Sequence, residues 1–342
     1  TMSYTIDVYR GTTKATDRFL DFSLYVSFFP QLVAGPIERS SHLLPQVLLR
    51  RSVSGHDFSE GVYHVLTGLF KKVVIADNMA PLVNAVFSKP VNDLTGPEVI
   101  MGVYAFAFQI YGDFSGYSSI AKGIAKWMGF DLMWNFKNPY FAITPSDFWS
   151  RWHISLSTWL RDYLYIPLGG NRQGGVMTLR NLILTMGLGG LWHGAGWTFI
   201  VWGLYQGLLL VVYRFLEQFI KLSHKHVGST GLAGVVKMII LFHLICVSWL
   251  LFRAESMGQV WSMLYLVISD FQFTSFSLYG LFMIAFFALP LILFEWWTEL
   301  TGNLLVLLEA SYVVRLMVYL YLIIMLIIFP PLVSQEFIYF QF

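Results

Sequence analysis

The chain has 342 residues, of which 56% are hydrophobic, 18% aromatic and 12% charged, with a mean hydropathy of +0.61, whereas soluble domains carry about 25% charge. That is the composition of a membrane protein, and a net charge of +2 gives no electrostatic footprint for a nucleic-acid partner. The single cysteine, Cys246 in the apolar run IILFHLICVSWLL, excludes a disulfide framework and a thiolate metal cluster built from this chain alone.

The opening TMSYTIDVYRG has neither the basic nor the apolar region of a signal peptide, so targeting rests with the membrane segments. There is no fixed-period repeat and no low-complexity tract, and residues 1–342 are expected to form one continuous membrane domain. Apolar runs near the ~20 residues that a spanning helix needs fall at 19–35, 61–87, 98–120, 181–213, 235–252, 277–297 and 313–333, predicting an all-α, polytopic bundle. After Gly35-Pro36, SSHLLPQVLLRRS alternates leucines with basic residues and predicts a helix lying in the interface. Basic residues including Lys71, Lys72, Arg151, Arg161 and Arg180 cluster in the middle loops. The positive-inside rule places several of them on the cytoplasmic side without fixing each helix's orientation.

Asp113 stands mid-run in FQIYGDFSGYSSIAKG. A carboxylate there costs about 2.5–3.5 kcal/mol even on lenient insertion scales, so it either pairs with a cation or lines a cavity. The next polar segment, PSDFWSRWHISLSTWLRDYLYIPLGGNR (145–172), is too polar to span. Thr144 as N-cap, Pro145 in the first turn and a Gly169-Gly170-Asn171 stop predict a helix. On a 3.6-residue period Trp149, Trp152, His153, Leu156, Leu160 and Tyr163 share one face, and Arg151, Ser155, Thr158 and Asp162 another. Such a helix belongs half-buried, at the interface or as a re-entrant element beside a water-filled cavity. His153 is then either an ordinary interfacial ring or part of a site.

GGLWHGAGWTF (189–199) sets His193 between two tryptophans and four glycines. An unpartnered polar ring in an apolar medium costs on the order of 2–7 kcal/mol, so His193 is either a helix-packing residue with partners or a site residue facing a cavity. The glycines suit either close backbone approach or a broken helix. His224, Lys225 and His226 read as a solvated loop and His243 as a packing residue. The chain has no HExxH, no Gly-x-Ser-x-Gly elbow and no phosphate-binding glycine loop, which removes zinc proteases, elbow-type serine esterases and P-loop ATPases. No metal is expected.

Three stretches, GDFSGYSSIAKGIAKWMGFDLMWNFKNPY, FWSRWHISLSTWLRDYLYIPLGGNR and GGLWHGAGWTFIVWGLYQG, occur in that order. Together with GPIERSSHLLPQ upstream and FIYFQF at the end, they closely resemble the membrane-bound O-acyltransferase family, and best its bacterial alginate O-acetyltransferase branch. The resemblance implies re-entrant or interfacial helices around a central tunnel, His193 as the catalytic histidine and His153 as a second functional one. Acyl transfer from a thioester to a hydroxyl needs a base, and a neutral histidine can serve. His193 is the expected base; Trp149, Trp152 and Trp192 are expected to shape a dry tunnel that Asp113 also lines; His153 or a backbone amide would polarise the thioester carbonyl. A cysteine acyl-enzyme is disfavoured because burial suppresses the Cys246 thiolate.

The same resemblance implies acetyl-CoA as donor, no metal, an exported polysaccharide such as alginate as acceptor, a periplasmic or extracellular acyltransferase as partner, and a multi-pass place among the lipids of the bacterial inner membrane. D-alanyl transfer to teichoic acid, peptidoglycan acetylation, a transporter or channel, and a structural subunit are the alternatives. Relatives carry further N-terminal membrane helices before the segment matching SYTIDVYRG, which this chain is expected to lack. In FIYFQF, Tyr339 is either an interfacial anchor or, as the resemblance implies, an acyl relay.

Overall fold

The computed structural model describes residues 2–32, 35–220, 231–331 and 337–338, the side chains of 218–220 excepted. His224, Lys225, His226 and Tyr339 lie outside the described residues, among which there is no strand. Helices α1 (Met2–Tyr9), α2 (Phe19–Ser27), α3 (Phe29–Leu32) and α4 (Ser40–Leu48) come first, followed by α5 (Gly55–Leu69) and α6 (Asp77–Phe87). The expected interfacial helix is α4, which buries Leu43 and Leu44 and exposes Leu48.

A capping box between Ser54 and Asp57 satisfies orphan amides at the start of α5. The helix then runs through a wide π-type turn, Phe70–Ala76, directly into α6. The axis of the bundle is α7 (Gly96–Trp127), about 48 Å long at 1.5 Å per residue. It is buried on nearly every face, with Met101, Phe106 and Ile110 fully enclosed against Val74, Ile75 and Met79 of the preceding hairpin arm. Helices α5, α6, α12, α13 and α14 all pack on it.

The segment 145–172 departs from the single helix expected. Thr144 does cap it, accepting from the Asp147 amide, and Pro145 does open it, but α8 (Pro145–Arg151) stops at Trp152, whose backbone is extended. His153 follows at φ 42°, ψ 53°, and only then does α9 (Ile154–Leu160) begin, widening into a second π-type turn, Arg161–Tyr165. The kink breaks the predicted faces. Tyr163 turns away to bond its hydroxyl to Asp7, and Ser155, expected beside Arg151 on a polar face, is fully buried.

The 181–213 run is a hairpin of α10 (Gly175–His193) and α11 (Trp197–Ile220), broken at 194–196 as the glycines predicted. The same sequence also serves close packing: a Cβ on Gly190 would lie 2.3 Å from the Phe199 carbonyl oxygen, and one on Gly203 2.3 Å from that of Met186. The chain continues through α12 (Leu232–Arg253), α13 (Met257–Ser269), α14 (Ser275–Thr301), α15 (Val306–Glu309) and α16 (Tyr312–Ile328). Among the described residues, α11 over Trp197–Glu217, α12 and α14 are long and apolar enough to cross a membrane, and α13 and α16 are shorter apolar helices. Large apolar side chains such as Phe282, Leu293 and Ile327 point outward from them, as lipid-facing surfaces require.

Candidate functional site

His153 occupies the left-handed region, where a side chain other than glycine is uncommon. Its surroundings fix it there. Asn135, in the loop after α7, accepts from the Ser155 amide at 3.3 Å and the Ser155 hydroxyl at 2.9 Å, and meets His153 Nδ1 at 3.1 Å. The Ile154 amide donates to the Asn135 backbone carbonyl at 3.0 Å. With the Asn135 oxygen facing it, Nδ1 must carry the proton, which leaves Nε2 as a lone-pair nitrogen. The ring stands edge-on to Phe114, with centroids 4.6 Å apart, and is 7% exposed. Burial, and after it the neighbouring His193 ring, holds its imidazole well below the ordinary range, so it is neutral.

His193 approaches from the other side. As the last residue of α10 it stands before the glycine-rich break, edge-on to Trp202 at 5.2 Å and Phe252 at 5.3 Å. The two histidines line one crevice of about 10 Å³ with Trp149, Trp152, Trp202 and Trp249, room for a single water at most. Trp152 is buried, tilted on Trp249 at 4.8 Å, and Trp149 is edge-on to Trp202 at 6.1 Å. These indoles therefore do wall the histidines.

Two expected lining residues do not take that place. Trp192 is 56% exposed and packs against Trp159, because one residue along a helix from His193 it faces outward. Asp113 is buried but lines neither cavity. It pairs with Lys72 Nζ at 2.7 Å, and Lys72 in turn reaches Asp77 at 2.8 Å. Of the two readings open for Asp113, pairing with a cation is the one the geometry takes. The π-type turn 70–76 makes this possible by aiming Lys72 at α7 while Lys71, its neighbour, reaches Glu295 of α14 at 3.6 Å.

Lys71 and Glu295 belong to the wall of a second and larger cavity of about 410 Å³, lined among others by His64, Tyr111, Ser118 and Asn135. Tyr111 donates its hydroxyl to Glu295 there. Neither His153 nor His193 lines it, but Asn135 belongs to its wall and also meets His153. That residue donates to the Ser118 hydroxyl at 3.1 Å on the cavity side while holding His153 on the other. Sequence reasoning did not single out Asn135; an asparagine in the apolar loop MWNFKNPY was the available signal. His243 is exposed, its Nδ1 donating to the Ile239 carbonyl and its Nε2 accepting from the Tyr104 hydroxyl.

Residues 15–254 match the family model described as MBOAT, membrane-bound O-acyltransferase. The chain is 45% identical over 262 residues to "Probable alginate O-acetylase AlgI" of Azotobacter vinelandii, covering 77% of this chain and 50% of the relative. It is 43% identical over 241 residues to "Peptidoglycan O-acetyltransferase" of Helicobacter pylori, covering 70% and 45%. Identity to "Teichoic acid D-alanyltransferase" of Bacillus subtilis is 27% over 247 residues, covering 68% and 60%. The chain thus spans about half the length of the first two relatives.

Proposed function

We propose a function from one premise, that this chain belongs to the membrane-bound O-acyltransferase family: residues 1–342 form the acyl-transferring membrane domain of a multi-pass bacterial inner-membrane O-acetyltransferase. The acyl donor is acetyl-CoA, the acceptor an exported polysaccharide, and a periplasmic or extracellular transferase takes the acetyl group onward. The observation that carries this reading is the convergence of His153 and His193, from segments forty residues apart, on one crevice walled by four indoles.

In this reading His193 takes the proton of the attacking hydroxyl as the thioester carbonyl is attacked, and the thiolate of CoA leaves. His153 keeps its proton on Nδ1 against Asn135, so its Nε2 carries a lone pair and can accept a proton but not donate one. That revises its expected part as a carbonyl polariser and leaves the oxyanion to a backbone amide. The crevice excludes bulk water, which protects the thioester from hydrolysis. Tyr339 carries the acetyl group as an aryl ester between the two faces. Identity of 45% to a relative named for alginate against 27% to one named for D-alanyl transfer favours acetate, and the 43% relative named for peptidoglycan makes that polymer the second acceptor to test.

Purified protein incubated with acetyl-CoA and a thiol-reactive dye should release CoA, with alginate and peptidoglycan fragments compared as acceptors. Release no faster than in a protein-free control sinks the enzymatic reading.

A further inference from the structure

Two walls of the histidine crevice carry hydrogen-bond donors of their own. Trp149 comes from α8 and Trp202 from α11, and both line the crevice. Their rings meet edge-on at 6.1 Å, and the Trp202 ring stands 5.2 Å from that of His193. Each indole Nε1–H is closed off from solvent and has no hydrogen-bond acceptor among the described residues. An indole nitrogen is a donor only, and burying it unpaired costs the full desolvation of the group. Folded proteins keep few such groups; here two stand on one crevice beside two histidines.

The chemistry of the missing acceptor follows from room and lone pairs. The crevice, about 10 Å³, admits one oxygen-sized atom. Two donors need an oxygen with two lone pairs to offer. The attacking hydroxyl oxygen has two, but one of them must form the bond to the carbonyl carbon, so a pair of N–H bonds would quench the nucleophile. The thioester carbonyl oxygen needs neither pair for the reaction. It gains charge as the attack proceeds, which is when fixed donors in a dry site contribute most.

We propose, on the acyl-transfer reading of this crevice, that Trp149 and Trp202 are catalytic residues whose indole N–H groups bind the acyl carbonyl oxygen, together with the backbone amide, and stabilise the charge that develops on it. As the hydroxyl oxygen bonds to the carbonyl carbon, His193 takes the hydroxyl proton and the carbonyl π pair moves onto oxygen, between the two donors. When that pair returns to re-form the carbonyl, the carbon–sulfur bond breaks. The thiolate of CoA leaves with the bonding pair and takes up the proton held by His193. Edge-on packing of Trp202 against Phe252 at 5.4 Å and of Trp149 against Phe148 at 5.6 Å holds both rings before substrate arrives, so the donors need little reorganisation during the reaction.

The test exchanges the N–H for sulfur. Benzothienylalanine keeps the bicyclic outline of tryptophan without its donor, and is introduced by a suppressor tRNA as Trp202→benzothienylalanine, Trp149→benzothienylalanine and, for comparison, at Trp261, which is 66% exposed on α13. CoA release from acetyl-CoA and melting temperature are measured on each purified protein. At 202 and at 149 kcat should fall by about 10²–10³-fold, the usual cost of one oxyanion donor. KM should not change, the mark of an interaction made only in the transition state. The Trp261 variant should keep the wild-type kcat. A second pair separates the donor from packing: Trp202→His and Trp202→Phe both shrink a buried ring and should lower the melting temperature, but imidazole Nε2 occupies the ring position of indole Nε1 and restores a donor. Trp202→His should therefore turn over about tenfold faster than Trp202→Phe. Wild-type kcat with benzothienylalanine at both 202 and 149 overturns the inference and leaves acyl transfer standing, as does equal turnover in Trp202→His and Trp202→Phe, or a comparable loss at Trp261. Absence of CoA release by the wild type overturns both.

Discussion

The two histidines share a crevice but are held by opposite means. His153 is immobilised from the backbone outward: a left-handed conformation, an asparagine bridging its ring, its following amide and the Ser155 hydroxyl, and an aromatic edge against it. His193 stands at the end of α10 beside a glycine break, with ring edges around it. The first arrangement fixes a tautomer and a direction. The second places a ring at the mouth of a break between two helices. A base that must act in two directions, taking a proton from a hydroxyl and later releasing it, is better served by the second, and a residue that orients by the first.

That contrast can be broken most directly at His193. His193→Ala should lower CoA release by 10²–10⁴-fold, the usual cost of losing one positioned general base, with the helical circular dichroism unchanged; wild-type release would make His193 a packing residue. Moving the frame instead of the ring is the next largest effect. In Gly190→Ala the new methyl would meet the Phe199 carbonyl at 2.3 Å, so α10 and α11 must part and carry His193 with them. A loss of roughly 10²-fold in turnover is expected, together with a fall in melting temperature. Gly187→Ala, three residues earlier, meets only the flexible end of Leu204 at 3.3 Å and should fall far less.

At the fixed partner, Asn135→Leu keeps the bulk but frees the His153 tautomer and strands the Ser155 hydroxyl in a buried position. Turnover should drop about tenfold, or roughly 1.4 kcal/mol in the barrier, and the acid limb of the rate profile should move toward lower pH, because the ring loses an acceptor for its N–H and becomes harder to protonate. An unchanged profile would remove Asn135 from the site. The smallest effect lies outside the bundle, on α4, where the Glu38 carboxylate at 2.8 Å raises the affinity of His42 for its proton. The folded value lies above the unfolded one, so this pair contributes stability below the unfolded imidazole range and loses it as pH rises through the folded value. His42→Gln should flatten a slight decline in melting temperature between about pH 6 and 8; an identical slope in both proteins would show the pair to be idle.

Much of this was legible in the sequence, and the misses share a cause. Apolar runs locate helices because burial and backbone satisfaction in lipid leave few other choices, and the Thr144-Pro145 start and the break at 194–196 were readable because caps and glycines act locally. The histidines were legible from their surrounding motifs. What escaped was anything set by a distant partner. Periodicity carried the helix past Trp152 because nothing local forbids it; Asn135, far away in sequence, stabilises the kink at His153. Asp113 could be recognised as costly from its run alone, but its partner Lys72 sits in a π-type turn that no propensity announces. Trp192 was misplaced because adjacency in sequence to His193 was taken as adjacency in space, which a helix turns by about 100° per residue.

The wide turn at Phe70–Ala76 has a consequence of its own. Helix-to-helix continuity makes the stretch 55–87 look tolerant of small length changes, since it contains no loop to disturb. Yet a chain one residue shorter between 70 and 76 would close the bulge into ordinary helix and rotate everything before it by about 100° relative to everything after. Lys71 and Lys72 would then exchange or lose their acidic partners on α14 and α7, leaving charges buried without counter-ions at a cost of about 3–5 kcal/mol for each broken pair. The extra residue in that turn therefore acts as a reading frame for the bundle: substitutions along it can be absorbed one at a time, whereas a single deletion mistranslates every contact downstream.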